Sequence, residues 1–317
     1  MGRLGRRRGL RPTHGRPGRL PRLPRTLRRT RPMIRPAVLA ACVALAGACT
    51  LDTFLYHPVR VDGYDFDGID PNIDGDLTEP HPSIVGPELR TEGFVDAEGD
   101  AIHYVYAKRP GARATIFYSH GNSLHIGRYW DRVERMWSMG YNVLIYDYPG
   151  YGRSEGEPSE HSVFASARAA LAELPNLPGV DPERVYFVGY SLGGAPTFEL
   201  ATDPQSPVRP RGVLTESAFC NVETLLQDAT FLDVPAEFVA ENRLDNCAKI
   251  GRVPDGIDVV LLHGDHDTFV RPIHARRLYD AARPPTRLVW AEGADHTDVP
   301  LALGDDYDAL FRRHLPP

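Results

Sequence analysis

Cysteine is scarce in this chain of 317 residues, with four in all: Cys42, Cys49, Cys220 and Cys247. They form no short Cys/His cluster of metal-ligand spacing, so the sequence requires no metal. No GxGxxG or Walker-type stretch occurs, so no nucleotide cofactor is implied. No internal repeat is visible, which excludes a solenoid or propeller array. The first 35 residues lack any acidic side chain and hold 13 arginines. From residue 36 the balance reverses to 23 basic against 42 acidic residues, a net charge of −19. An acidic folded part argues against a nucleic-acid partner. Hydrophobic residues make up 42% of the chain, enough for a soluble core but too few for a polytopic membrane protein.

The longest small-and-apolar run, AVLAACVALAGA over residues 37–48, has twelve residues. As a helix it would reach only ~18 Å, well short of a ~30 Å hydrocarbon core. A short apolar run behind positive charge reads as an export signal. It ends in Ala46, Gly47, Ala48 and Cys49, which resembles a bacterial lipobox, with Ala46 where leucine is usual. The expectation is lipidation at Cys49, after a basic leader and signal over 1–49. Met33 stands just before this run as an alternative start to Met1. The protein would then be exported and membrane-anchored, facing the periplasm or the cell exterior. In such an oxidising compartment Cys220 and Cys247 are candidates to pair, against the alternative of two buried thiols. Residues 50–86 read as an acidic Pro/Gly linker. Asp70, Asn72, Asp74 and Gly75 echo the start of a calcium loop, but the twelfth position is His81 instead of glutamate. Pro71, Pro80 and Pro82 also argue against flanking helices, so a solvated tether is expected.

After Pro87 the pattern becomes periodic. Strands are expected at 89–95, 101–107, 114–122, 141–150, 184–191, 212–218, 257–264 and 286–290. Helical spacing falls at 126–139, 160–174, 192–202, 273–282 and 303–314. Strands alternating with helices, several of them continuously apolar, imply a mainly parallel, doubly wound sheet covered on both faces. Right-handed crossovers place the ligand at the carboxyl ends of the strands. Residues 219–255 interrupt the alternation with Leu225, Leu226, Phe231, Leu232, Phe238 and Val239, and read as a small helical cap above the site.

GYSLGG over 189–194 follows a strand and precedes a helix, the setting that a GxSxG nucleophile elbow requires. The tight turn lifts the Ser191 hydroxyl out of the sheet, and the helix N-terminus behind it favours negative charge. With SHGN at 119–122 and DYPGYGRSEG at 147–156, the region 87–317 resembles the α/β-hydrolase superfamily, and locally its serine hydrolases. That resemblance implies the chain order serine, acid, histidine. It assigns Ser191 as nucleophile, His296 in GADHTD as general base, and Asp267 in HGDHDTFV as the acid. Asp265 and Glu216 remain competitors for the acid, Glu216 being expected to stabilise its loop instead. Asp295 and Asp298 are too local to His296 to act across the imidazole. His120, His125, His263, His266 and His274 are expected in structural or surface roles. Oxyanion donors are expected from the main-chain N–H of Leu192 and of Asn122. Asp147 and Arg153 read as structural.

The resemblance implies hydrolysis of an ester or thioester of a small acyl substrate through an acyl-serine, with no cofactor. A peptidase or amidase uses the same machinery. A catalytically idle, surface-tethered binding lipoprotein is the alternative of a different class, since fold alone does not fix function. Neither the substrate nor the oligomeric state is written in these motifs.

Overall fold

The computed structural model describes residues 55–67, 82–230, 243–283 and 285–317, without the side chains of 229 and 230. The architecture below is that of the unit covering residues 46–317. Cys42, Cys49 and the calcium-loop-like stretch at 70–81 lie outside the described residues, as do the cap residues 231–242.

In chain order the strands are β1 (His57–Pro58), β2 (Arg90–Ala97), β3 (Asp100–Ala107), β4 (Thr115–Ser119), β5 (Ser123–Leu124), β6 (Asn142–Tyr146), β7 (Val185–Tyr190), β8 (Gly212–Glu216), β9 (Asp258–Gly264) and β10 (Thr286–Ala291). The helices are α1 (Trp130–Ser138), α2 (Glu160–Glu173), α3 (Gly194–Thr202), α4 (Val222–Thr230), α5 (Asn246–Ile250), α6 (Ile273–Ala281), α7 (Val299–Leu303) and α8 (Asp305–His314). Eight strands form one sheet in the order β10-β9-β8-β7-β4-β6-β3-β2. Only β3 runs against the others; every other neighbouring pair that excludes it is parallel.

The central strands are buried on both faces, and their side chains alternate between two cores. Phe117, Leu144, Phe187, Val213 and Leu261 pack with Val163 and Leu171 of α2, Phe198 of α3 and Leu278 of α6. Ile116, Val143, Ile145, Val188, Leu214 and Val260 face the other way, onto Val133 and Met136 of α1 and Phe311 of α8. This period of two is why continuous apolar strands need cover on both sides. Each fully buried Leu, Ile or Phe contributes about 1.5–3 kcal/mol. Helix boundaries follow local chemistry. A capping box joins Ser159 and Ser162 at the start of α2. The helix expected over 303–314 is broken at Gly304, whose φ of +53° separates α7 from α8.

One expectation needs correction. The linker over 50–86 is not a solvated tether where it is described. Leu55, Tyr56 and Val85 are buried, β1 pairs in parallel with β5, and Arg60 bridges to Gly152. Hydrogen bonds from Ser83 to Glu134 and from Trp130 to Ser83 fasten the second piece. A high density of Asp, Pro and Gly reads as solvated, yet the aromatic side chains Tyr56, Tyr64 and Phe66 within it supply the apolar surface that docks. The cap expected over 219–255 falls in part on residues 231–242, outside the described residues; on either side of them the insertion lies against the sheet's flanking helices. Its helix α5 packs on α3 and α6, and Lys249 pairs with Glu199 of α3 at 2.8 Å. Cys220 and Cys247 are joined by a disulfide at the base of this insertion.

Candidate active site

The elbow explains its own glycines. Ser191 has a φ of +52°, a conformation that L-residues adopt only at a cost. The turn is held because β7 enters it and a helical turn leaves it at once. A Cβ on Gly193 would stand 1.9 Å from the Ser119 carbonyl oxygen, and one on Gly189 2.4 Å from the Gly193 carbonyl. No side chain fits at either position, so the tight approach of the elbow to β4 selects glycine.

The structure brings together the three residues assigned from the motifs. Ser191 Oγ lies 3.0 Å from His296 Nε2, and His296 Nδ1 lies 2.8 Å from Asp267 Oδ2. Asp267 is buried, with Oδ1 accepting the main-chain N–H groups of Phe269 and Val270 at 3.0 and 2.7 Å. Burial pushes its pKa up, but hydrogen bonds from His263 and His296 overcome that and hold it at about 2. An ionised Asp267 accepts only. His296 therefore donates Nδ1–H to it and leaves Nε2 free to take the Ser191 proton. That is the tautomer a general base needs.

The competing acids are committed elsewhere. Glu216 is buried, with Oε1 2.7 Å from Arg132 Nη1 and Oε2 accepting the Tyr307 hydroxyl at 3.0 Å. Asp265 is turned to His266 and the Gly293 N–H. Asp295 accepts from Thr268 and from the His296 N–H, while Asp298 accepts the Asp295 N–H, so both shape the histidine loop. Asp147 accepts the Ile126 N–H and the Tyr64 hydroxyl, and Arg153 pairs with Glu92. The remaining histidines have local partners: His120 the Gly121 carbonyl, His125 the Gly127 N–H, and His274 the Cys220 N–H.

Three contributors escaped the motif reading. Buried His263 places Nε2 2.7 Å from the Val270 carbonyl and 3.3 Å from Asp267 Oδ2, so it helps orient the acid. Arg132 donates Nη2–H to the Thr297 carbonyl at 3.0 Å, and its guanidinium lies 4.2 Å from the centre of the Tyr190 ring. The Tyr190 hydroxyl donates in turn to the His296 carbonyl at 3.3 Å. One buried cation thus ties together β8, the elbow and the histidine loop. The third is His57, from the supposed tether. It lines a cavity of about 380 Å³ with Asn122, Tyr129, Tyr190, Ser191, Phe269 and His296. His263 sits in the acid motif and is expected there only in a structural or surface role, whereas Arg132 and His57 carry no local signal.

Leu192 follows the nucleophile in the first helical turn, where N–H groups have no intrahelical carbonyl. Asn122 lies in the same cavity wall. Among the described residues no group of three or more His, Cys, Asp or Glu side chains is arranged to hold a metal ion.

Comparison with known proteins agrees with this geometry. A family model described as serine aminopeptidase, S33, matches residues 110–246, a stretch that contains Asn122 and Ser191 and ends before Asp267 and His296. The chain is 29% identical over 207 residues to human alpha/beta hydrolase domain-containing protein 17B, covering 65% of this chain and 68% of that one. It is 26% identical over 284 residues to the Escherichia coli K12 protein YfhR, covering 88% and 90%. The Pyrococcus furiosus esterase Pf2001 superposes with a TM-score of 0.62 at 15% identity, covering 82% of this chain and 97% of that one. The sheet order, the elbow and these likenesses converge: the chain has the α/β-hydrolase fold and is similar to proteins described as α/β hydrolases.

Proposed function

We propose that the protein is a serine hydrolase that cleaves an ester or thioester through an acyl-Ser191 intermediate. The observation that carries this is the unbroken relay from Ser191 Oγ to His296 at 3.0 Å and on to Asp267 at 2.8 Å. In the first half-reaction His296 Nε2 takes the Ser191 proton as Oγ attacks the acyl carbon. The same proton then passes to the leaving oxygen or sulfur. In the second half-reaction His296 takes a proton from water, hydroxide attacks the acyl carbon, and Ser191 is released. Asp267 holds the imidazolium formed in each half. The N–H groups of Leu192 and Asn122 bind the oxyanion, each such donor typically contributing ~100- to 1000-fold in turnover.

The peptidase reading draws on the description of the matching family model. An aminopeptidase needs an anionic partner for the substrate ammonium. Asp295 is the one carboxylate lining the cavity among the described residues, and both its oxygens already accept from the Thr268 hydroxyl. p-Nitrophenyl esters of increasing chain length, assayed beside aminoacyl amides, separate the two. A fluorophosphonate probe should label the wild type and not Ser191→Ala; equal labelling of both removes the serine-hydrolase reading and leaves the idle binding protein.

We further propose export and lipidation at Cys49. The Cys220–Cys247 disulfide supports an oxidising compartment. Membrane retention that persists unchanged in Cys49→Ser would contradict the anchor.

A further inference from the structure

The side chain of Asn122 is held by a residue 65 positions earlier. The His57 main-chain N–H donates to Asn122 Oδ1 at 3.0 Å, and the Tyr151 hydroxyl donates to the same oxygen at 2.8 Å. These two donors fix which end of the amide is oxygen. Asn122 Nδ2 then lies 3.0 Å from His57 Nδ1 and donates to it, so Nδ1 is an acceptor and the ring proton sits on Nε2. The amide and His57 thus clasp each other through two reciprocal hydrogen bonds. Parallel pairing of β1 with β5, His57 to Ser123 and Pro58 to Leu124, continues the clasp along the loop. Further on, burial and the neighbouring Asp147 raise the Tyr64 pKa, so its hydroxyl keeps its proton and donates to the Asp147 carboxylate. That carboxylate also accepts the Ile126 N–H at 2.8 Å. Both ends of the 120–126 loop are therefore fastened by residues 55–67.

We propose that this segment completes the active site, and that His57 is a positioning residue that sets the Asn122 main chain for the oxyanion. The inference rests on the acyl-Ser191 reading and deepens it. A main-chain donor is useful only if it is aimed before the charge develops, because reorganising it during the reaction adds to the barrier. The loop carrying Asn122 leaves β4 after Ser119, has a positive φ of 63° at Leu124, and its strand β5 pairs with β1 and with no strand of the large sheet. The short β1–β5 pairing and the His57–Asn122 clasp supply the rigidity that the sheet gives to Ser191. His57 also borders the cavity, which places the segment against the substrate.

The test uses the full chain as wild type, His57→Phe, His57→Asn and Ser191→Ala. Phenylalanine keeps a ring and removes the acceptor; asparagine places Oδ1 near the position of the imidazole Nδ1. Loosening a donor should cost less than deleting it, so His57→Phe should lower kcat on a p-nitrophenyl ester about 10- to 100-fold with KM within about threefold. Binding of a trifluoromethyl ketone, which forms a tetrahedral adduct on the serine, should weaken by the same factor. His57→Asn should recover most of both. Wild-type kcat in His57→Phe, a loss confined to KM, or a His57→Asn as slow as His57→Phe would each overturn the proposal. Should His57→Phe fail to fold, Tyr151→Phe removes the other donor to Asn122 Oδ1 and must show the same kcat-weighted loss. A wild type that fluorophosphonate does not label would instead refute the Ser191 reading, so the two failures are distinguishable.

Discussion

Two segments outside the regular α/β alternation are fastened in different ways. Residues 55–67, read as part of a solvated linker, pair with the loop that carries Asn122 and put His57 into the cavity. The described part of the 219–255 insertion contributes no residue to that cavity, and its helix α5 packs on α3 and α6. The difference lies in what each segment bonds to. The first is tied by main-chain pairing and the His57–Asn122 clasp to a loop of the site. The second is tied to α3 by the Lys249–Glu199 pair, and its two ends are joined to each other by the Cys220–Cys247 disulfide. Apolar content says that a segment will dock; the polar partners decide where.

This contrast predicts opposite responses to substitution. The largest effect is expected in turnover, where His57→Phe should be slowed about 10- to 100-fold while Cys220→Ala with Cys247→Ala stays within about threefold of wild type. The double cysteine variant should instead lose about 3 kcal/mol of stability, as expected for a cross-link between residues 27 apart, readable in urea unfolding. A large kcat loss in that variant would show that the insertion acts on the site.

Arg132 belongs to neither segment and tests whether the sheet itself holds the histidine loop. Arg132→Met leaves the Glu216 carboxylate buried without its cation, and should destabilise the fold by about 3–5 kcal/mol. Thermal unfolding is the measurement, and a shift of under about 2 °C would show the pair to be dispensable.

Acid should separate the two regions further. His274, at the base of the insertion, has its pKa pushed down to about 4, chiefly by burial, and accepts the Cys220 N–H through Nδ1. Its folded pKa lies below the unfolded value, so its contribution is full above about pH 6.5 and is lost as pH falls through 4. Asp267 has a folded pKa of about 2, so its contribution is full above about pH 4 and is lost as pH falls through 2. It amounts to about 2 kcal/mol. Amide exchange followed against pH should therefore loosen Cys220 before Val270. The reverse order would contradict these assignments.

The motif-bearing half of the molecule was legible because its signals are local. GYSLGG encodes a turn that only glycine permits, and the HGDHDTFV and GADHTD loops end successive parallel strands. Asp267 is preferred over Glu216 from the HGDHDTFV loop alone; the partner that occupies Glu216 was not legible, because Arg132 reaches it across 84 positions. His57 was invisible for the same reason: a two-residue strand has no periodicity, and its partner is 65 residues away. For the insertion, helical amphipathicity reports a buried face without saying what buries it.

The central claim is that Ser191 carries the acyl group during turnover. Intact-mass and peptide analysis of enzyme quenched during hydrolysis of a slowly deacylating p-nitrophenyl ester tests it directly. The acyl mass should appear on the peptide containing Ser191, accumulate in a burst matching p-nitrophenol release, and be absent in Ser191→Ala. Turnover at the wild-type rate in Ser191→Ala, or acyl mass on another residue, would contradict the account.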